Sequence, residues 1–223
     1  MDGEPTHPGT GPTEWGGSVG VGPWTGPWPQ DDRYDPQLLA EGDRRNVVDR
    51  YRYWTLEAIV ADLDTRRHPF HVAIENFEHD LNIGTVVRTA NAFLAAEVHV
   101  VGRRRWNRRG AMVTDRYQHL RHHADVTGVL EYAAAEQLTV VAVDNGPDAV
   151  PLETVPLPRR CLLLFGQEGP GLTPAARAGA ALTVSISQFG STRSLNAGVA
   201  AGIAMHAWVR QHADLTAAAP DGH

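Results

Sequence analysis

The sequence predicts an α/β protein built on a mostly parallel sheet flanked by helices. Three observations carry that reading. Five short runs are apolar at nearly every position, as strands buried on both faces are. Segments with helical spacing alternate with them. Glycines and polar residues cluster directly after several of the runs, where open α/β sheets place their ligand sites.

Taken in order, residues 1–35 stand apart. Gly, Pro, Thr and Trp dominate, with Trp15, Trp24 and Trp28 set in turns such as Gly26-Pro27-Trp28-Pro29. No strand or helix period survives there, so a disordered or surface-draped tail is expected, its tryptophans docked rather than solvated. Gly20-Val21-Gly22 lacks the preceding strand and following helix of a nucleotide-binding glycine loop. Residues 36–68 turn helical, with Leu38, Leu39, Val47, Val48, Tyr51, Trp54, Leu56, Ile59, Val60 and Leu63 at mixed helical spacings, which predicts an N-terminal extension of two segments. The main domain is expected over residues 69–213. Its strands are His71–Glu75, Val98–Val101, Leu138–Asp144, Cys161–Phe165 and Leu182–Ile186, and its helices Ile83–Ala95, Gly128–Gln137, Pro174–Gly179 and Ser194–Gln211. Residues 214–223 are expected to fray.

The chain has 223 residues, 42% of them hydrophobic, and a formal net charge of −6, enough material for one sizeable core. All 20 of its basic residues are Arg. Without Lys there is no Walker-type phosphate loop, no Schiff-base chemistry and no kinase-type site. The single Cys161 excludes an intrachain disulfide framework and a Cys-based zinc site, and it reads as a buried strand residue of a reducing compartment. No run approaches the ~18 apolar residues of a membrane span, and no apolar signal core opens the chain, so a cytoplasmic protein without a membrane partner is expected.

Three strand exits carry the chemistry. The first runs from Glu75 to Arg88, with Asn82 placed to cap a helix and Arg88 among Val86, Val87, Ala90 and Phe93. That Arg is either a snorkelling surface residue or a cation aimed at a polar ligand. The second, Gly166-Gln167-Glu168-Gly169-Pro170-Gly171, follows the most apolar strand. A tight turn explains the glycines but not Glu168, whereas a ligand approaching the backbone explains both. In the third, Ile186-Ser187-Gln188 leads through Arg193 to Ser194-Leu195-Asn196 and a helix of Ala, Gly, Val and Ile, a composition that marks close packing. Ser194 and Asn196 are also natural helix caps.

Together, Asn82-x-Gly84 with Arg88, Gly166-x-Glu168-x-x-Gly171 and Ser194-Leu195-Asn196 resemble the three signature motifs of the SpoU (TrmH-like) branch of the SPOUT RNA methyltransferases, from about His71 to Gln211. Ile186-Ser187-Gln188, Thr192-Arg193-Ser194-Leu195-Asn196 and Tyr117-Gln118-His119-Leu120 are most similar to the subgroup that methylates the ribose of a D-loop guanosine in tRNA. The resemblance implies a deep C-terminal trefoil knot, a rare exception to unthreaded chains. It also implies S-adenosylmethionine bound in the knotted loops and a homodimer whose site draws on both subunits. Carried over by position, Gly166, Glu168, Gly171, Ile186, Gln188 and Leu195 would hold the cofactor, while Arg88, Asn82, Glu168, Ser194 and Asn196 would form the catalytic set. In that set Asn82 is expected to communicate with Glu168 and Ser194. The chain departs from the family at Ser187, usually Pro, and at Gln188, often Met.

Methyl transfer to a ribose 2′-hydroxyl needs alignment, deprotonation of a weak acid and no metal. Two roles are open for Arg88, a base in a cation-rich desolvated site or a charge that stabilises the developing alkoxide. The second is energetically favoured, because a guanidinium ordinarily loses its proton only above pH ~12. Arg103-Arg104-Arg105-Trp106-Asn107-Arg108-Arg109 follows a strand and is expected, with Arg193, to bind RNA through phosphates and a stacked base. The histidines His119, His122 and His123 lack Cys partners and regular ligand spacing, so they read as surface or RNA-facing residues, and no metal is expected. The expected substrate is RNA, tRNA first and 23S rRNA second. A non-catalytic RNA-binding or assembly protein on the same fold is the rival from another class, and it would predict a broken cofactor pocket.

Overall fold

The computed structural model describes residues 20–78 and 82–216. The chain divides between Thr55 and Leu56 into two compact units, so the expected helical extension is shared between them. In the first unit, helix α1 (Pro36–Glu41) starts at the Asp35 carboxylate, which accepts from the Gln37 and Leu38 N–H groups. The expected helical run through Val47 and Val48 is irregular, with one 3₁₀ turn at Asp49–Tyr51. Fully buried Asp43 organises this stretch, taking two hydrogen bonds from the Arg45 guanidinium (2.9 and 2.7 Å) and one from Tyr53 N–H (2.9 Å). Trp24 packs edge-on against Tyr34 and Tyr53, Trp28 remains half exposed, and Trp15 lies outside the described residues.

The second unit opens with α2 (Leu56–Asp64) and then builds the sheet: β1 (Phe70–Asn76), β2 (Val98–Gly102), β3 (Leu120–His123), β4 (Thr139–Val143), β5 (Val150–Pro151), β6 (Cys161–Phe165) and β7 (Leu182–Ser185). The strands lie in the order β3-β2-β1-β6-β4-β7-β5, and every pairing is parallel. The central strands are the apolar runs, with β6 buried at every position. β3 and β5 fall outside the expected strands. Both are edges: β3 reads Leu-Arg-His-His with its arginine and first histidine exposed, and β5 is two exposed residues, so neither carries the apolar signature of a covered strand.

Helix ends differ from the spacing for local reasons. α3 (Ile83–Ala92) stops short because Leu94 turns left-handed at φ 55°. α4 (Val126–Ala135), capped by Asp125, stops before Gln137 at φ 56°. α5 (Pro174–Ala178) is capped by Thr173, and α6 (Ala197–His212) starts after Asn196, whose side chain accepts from the Gly198 and Val199 N–H groups. On one face of the sheet Phe70, Val72, Ile74 and Leu163 pack with α3 and with Met205 and Trp208 of α6. On the other, Ala73, Leu162 and Leu164 pack with α4 and α5. Cys161 is fully buried and its thiol is pushed up to about 12 by that burial, as an inert packing residue requires.

Candidate functional site

The carboxyl ends of β4, β6 and β7 send out three loops that enclose a cavity of about 510 Å³, within the range of small-molecule sites. Val143, Phe165, Leu172 and Ile186 supply apolar lining, and Asp144, Asn145, Glu168, Gln188, Arg193 and Ser194 supply polar groups. Each loop is tied to another element. Asn145 Nδ2 donates to the Arg193 carbonyl (3.0 Å), bridging the β4 and β7 exits. Buried Gln167 accepts from the Phe77 and Glu78 N–H groups (3.2 and 2.7 Å), fixing the β6 exit to the β1 exit. Glu75, fully buried on β1, accepts from Thr173 N–H (2.8 Å) and Oγ1 (2.6 Å) where α5 begins. Burial raises the Glu75 carboxyl, and the two Thr173 hydrogen bonds oppose that shift.

The three motifs meet through hydrogen bonds. Asn82 Nδ2 donates to Glu168 Oε2 (2.8 Å), and Asn196 Nδ2 donates to Asn82 Oδ1 (2.9 Å), while Asn196 Oδ1 caps α6. Asn82 occupies the position before α3 but makes no side-chain capping bond, because its amide is spent on this network. Ser194 and Leu195 line the cavity, and the partner of Asn82 from the third motif is Asn196 rather than Ser194.

Gly166 lines the cavity and also has a steric role: a Cβ there would lie 2.2 Å from the Gly171 carbonyl carbon and 2.3 Å from Leu172 N, so only glycine lets the loop fold back on itself. Gly171 N–H donates to the Gln167 carbonyl (3.1 Å) to close that loop, and Gly171 sits at φ 71°, where a side chain is disfavoured. Gly84 plays the same structural part for α3. Its missing Cβ admits the 3₁₀ turn Arg108–Ala111, whose Ala111 N would otherwise be 2.6 Å away.

Arg88 is exposed on α3, roughly 9 Å along the axis from Asn82, and does not line the cavity. In the arginine loop, Arg103 reaches the Glu78 carbonyl and Arg108 pairs with Asp115 (3.2 Å), whereas Arg104, Arg105 and Arg109 are exposed. Trp106 is half-buried against the core with Arg108 over its ring, so the guanidinium groups are the outward element. Tyr117, Gln118 and His119 serve packing. Arg67 donates to the Tyr117 carbonyl (2.8 Å) and to Gln118 Oε1 (3.2 Å), and His119 meets Asp64 (2.8 Å). His122 holds the Gly102 carbonyl, and His123 points to His99 rather than to the surface.

Spacing missed Asp144, Asn145, Gln167 and Glu153. The first two directly follow an apolar strand and were reachable by the carboxyl-end rule. Glu153 had no signal. It follows the edge strand β5 and accepts from Ser187 N–H and Oγ, both at 3.0 Å, so Ser187 supplies a donor that a proline lacks. Its own backbone N–H, ahead of the Ser187 bonds, holds the Glu153 carboxyl below its ordinary range.

This frame is that of an RNA 2′-O-methyltransferase that draws its methyl group from S-adenosylmethionine. Residues 69–206 match the family model described as the SpoU rRNA Methylase family, and the chain belongs to that family. Over 161 residues it is 26% identical to the tRNA (guanosine(18)-2'-O)-methyltransferase of Escherichia coli (strain K12), covering 70% of each chain. It is 32% identical over 147 residues to an uncharacterized tRNA/rRNA methyltransferase of Mycolicibacterium paratuberculosis, covering 63% of this chain and 47% of that one. Among solved structures, the SpoU methyltransferase AviRb from Streptomyces viridochromogenes in complex with AdoMet superposes with a TM-score of 0.59 at 26% identity, over 67% of this chain and 60% of that one. The A. aeolicus TrmH/SpoU tRNA modifying enzyme, at 21% identity and TM-score 0.62 over 70% of this chain and 81% of that one, shares the fold.

The cavity suits this cofactor. Gln188 lines it with a buried Oε1 that has no hydrogen-bond partner, an acceptor available to a ligand's amino group. Apolar Phe165, Leu172 and Ile186 suit a purine ring, and exposed Glu168 offers a carboxylate to a cationic tail.

Proposed function

We propose that this protein methylates a ribose 2′-hydroxyl in tRNA, with a D-loop guanosine favoured and 23S rRNA as the second substrate. The observation that carries the reading is the Glu168–Asn82–Asn196 network, which joins all three motifs at the mouth of the cavity. The guanosine preference is supported by the likeness to the Escherichia coli and Thermus thermophilus enzymes named tRNA (guanosine(18)-2'-O)-methyltransferase, at 26% and 28% identity.

S-adenosylmethionine, when bound, supplies a methyl group on a sulfonium centre. Gly166, Glu168, Gly171, Ile186, Gln188 and Leu195 hold it, the glycines by shaping the loop. Asn82 and Asn196 lock the motif loops together, so alignment of acceptor and donor is built in before RNA arrives. Ser194 borders the reacting end. Arg88 stays charged, holds the adjacent phosphate and stabilises negative charge developing on the 2′-oxygen. Arg103, Arg104, Arg105, Arg108, Arg109 and Arg193 contact the RNA backbone, with Trp106 supporting that loop.

The active form is a homodimer. Val199 and Ile203 are 52% and 38% exposed on α6, and Phe189 is 98% exposed on the loop before it, an apolar set unsuited to water. The C-terminal loops are threaded as the trefoil knot that membership of the family implies. Among the described residues no helix is long and apolar enough to cross a membrane, which accords with action on cytoplasmic RNA. The test is mapping of label from the methyl donor onto total tRNA and rRNA. Methylation of a D-loop guanosine ribose is expected. Label on a base, or none on either RNA, would overturn the proposal.

A further inference from the structure

On the sheet face covered by α4, histidines from three neighbouring strands meet in a diagonal row that runs from the amino end of β1 to the carboxyl end of β3. His71 Nδ1 of β1 lies 3.0 Å from His99 Nε2 of β2, and His99 Nδ1 lies 3.0 Å from His123 Nε2 of β3. Tyr132 of α4 covers all three rings. Glu97, just before β2, brings Oε2 to 3.8 Å from His99 Nε2. One donor atom from each of His71, Glu97 and His99 lies within 4.8 Å of the others.

We propose that His71, Glu97 and His99 bind a divalent transition-metal cation, with Zn²⁺ the best match to two imidazoles and a carboxylate. Zinc bonds of about 2.0–2.2 Å at tetrahedral angles separate neighbouring donors by roughly 3.4 Å. The observed 3.0 and 3.8 Å straddle that value, and the longest separation closes with a turn of His71, the histidine of the pair that is partly exposed. A water takes the remaining position on that side.

The surroundings are those of a built site rather than a chance meeting of side chains. His99 is fully buried, and with Nδ1–H donating to His123 its Nε2 lone pair faces His71 and Glu97. Glu97 is oriented by Tyr132 OH (2.8 Å) and by Arg121 Nε (3.1 and 3.2 Å). Complete burial of His99 disfavours a charged ring, and the neutral imidazole is the ligating form. Sequence spacing hides the cluster, because His71 and His99 are 28 positions apart and meet only through the pairing of β1 with β2.

The test is titration of the chelator-treated full chain with Co²⁺, followed by visible absorption, and with Zn²⁺, followed by calorimetry. One equivalent per chain is expected, with at least tenfold weaker binding in both His71→Ala and Glu97→Gln and a smaller loss in Tyr132→Phe. Glu97→Gln keeps side-chain volume and an acceptor for Tyr132 but gives up the ion pair with the half-exposed Arg121, so only a small fall in melting temperature is expected in chelator. Absence of stoichiometric uptake would overturn the proposal. So would uptake unchanged in both His71→Ala and Glu97→Gln, which would leave the row as a hydrogen-bonded packing element.

Discussion

Replacing Gly166 by alanine tests how the cofactor loop is built. The added Cβ would lie 2.2 Å from the Gly171 carbonyl carbon, 2.3 Å from Leu172 N and 2.6 Å from the Gly171 oxygen. Carbon atoms at rest keep about 3.5–4.0 Å apart, so the two backbone segments must separate by more than an ångström, and no side chain can yield in their place. Separation at that scale breaks the Gly171 N–H to Gln167 bond of 3.1 Å. Overpacking of about 1–3 kcal/mol and a lost hydrogen bond of about 0.5–1.5 kcal/mol give a cost on the order of 2–4 kcal/mol for the closed loop. Where cofactor requires that loop, about 2 kcal/mol weakens affinity by roughly 30-fold. Calorimetry with S-adenosylmethionine reads this directly, with Gly169→Ala as the control. A Cβ at Gly169 meets nothing within 4 Å and suffers only from φ 92°, so about 1 kcal/mol and a roughly fivefold loss are expected. Gly166→Ala protein that binds cofactor within threefold of the parent and melts unchanged would refute the account of the loop.

Arg88→Ala should abolish methyl transfer and leave cofactor affinity within a few-fold. Turnover above a tenth of the parent, less than ~1.4 kcal/mol of transition-state stabilisation, would remove Arg88 from the centre of the mechanism. Neutralising Arg103, Arg104, Arg105, Arg108 and Arg109 should flatten the salt dependence of RNA binding, by roughly 0.7 to 0.9 in log–log slope for each phosphate that is no longer neutralised. An unchanged slope would direct the search for the RNA surface to Arg116, Arg121 and Arg193. Val199→Glu should convert the dimer to a monomer in light scattering, since it places charge on the exposed apolar face of α6. Burial raises the Asp43 carboxyl, but the hydrogen bonds from Arg45 and Tyr53 outweigh it, so its folded pKa lies below the ordinary 3.8. Such a group adds stability above its unfolded pKa and loses it as pH falls through the folded value. Tryptophan fluorescence of the first unit should therefore report acid unfolding below pH ~4, and Asp43→Asn, already unstable at pH 7, should lose that pH dependence.

The apolar runs determined the five covered strands, because burial on both faces demands apolar residues wherever the chain crosses the sheet centre. The motif wording determined family and cofactor, since Asn82, Glu168 and Asn196 are legible as types and spacings. Edge strands were not legible. β3, Leu-Arg-His-His, owes its strand state to pairing with β2 and not to its own pattern. Only tertiary structure decided the partner of Asn82, because Ser194 and Asn196 are two residues apart and the start of α6 selects which faces α3. It also decided the use of Gly166, as closeness of two loop segments is a distance that composition does not record. The same holds for the histidine row: His71, His99 and His123 are scattered in sequence, and parallel pairing at a fixed register brings their side chains to one face.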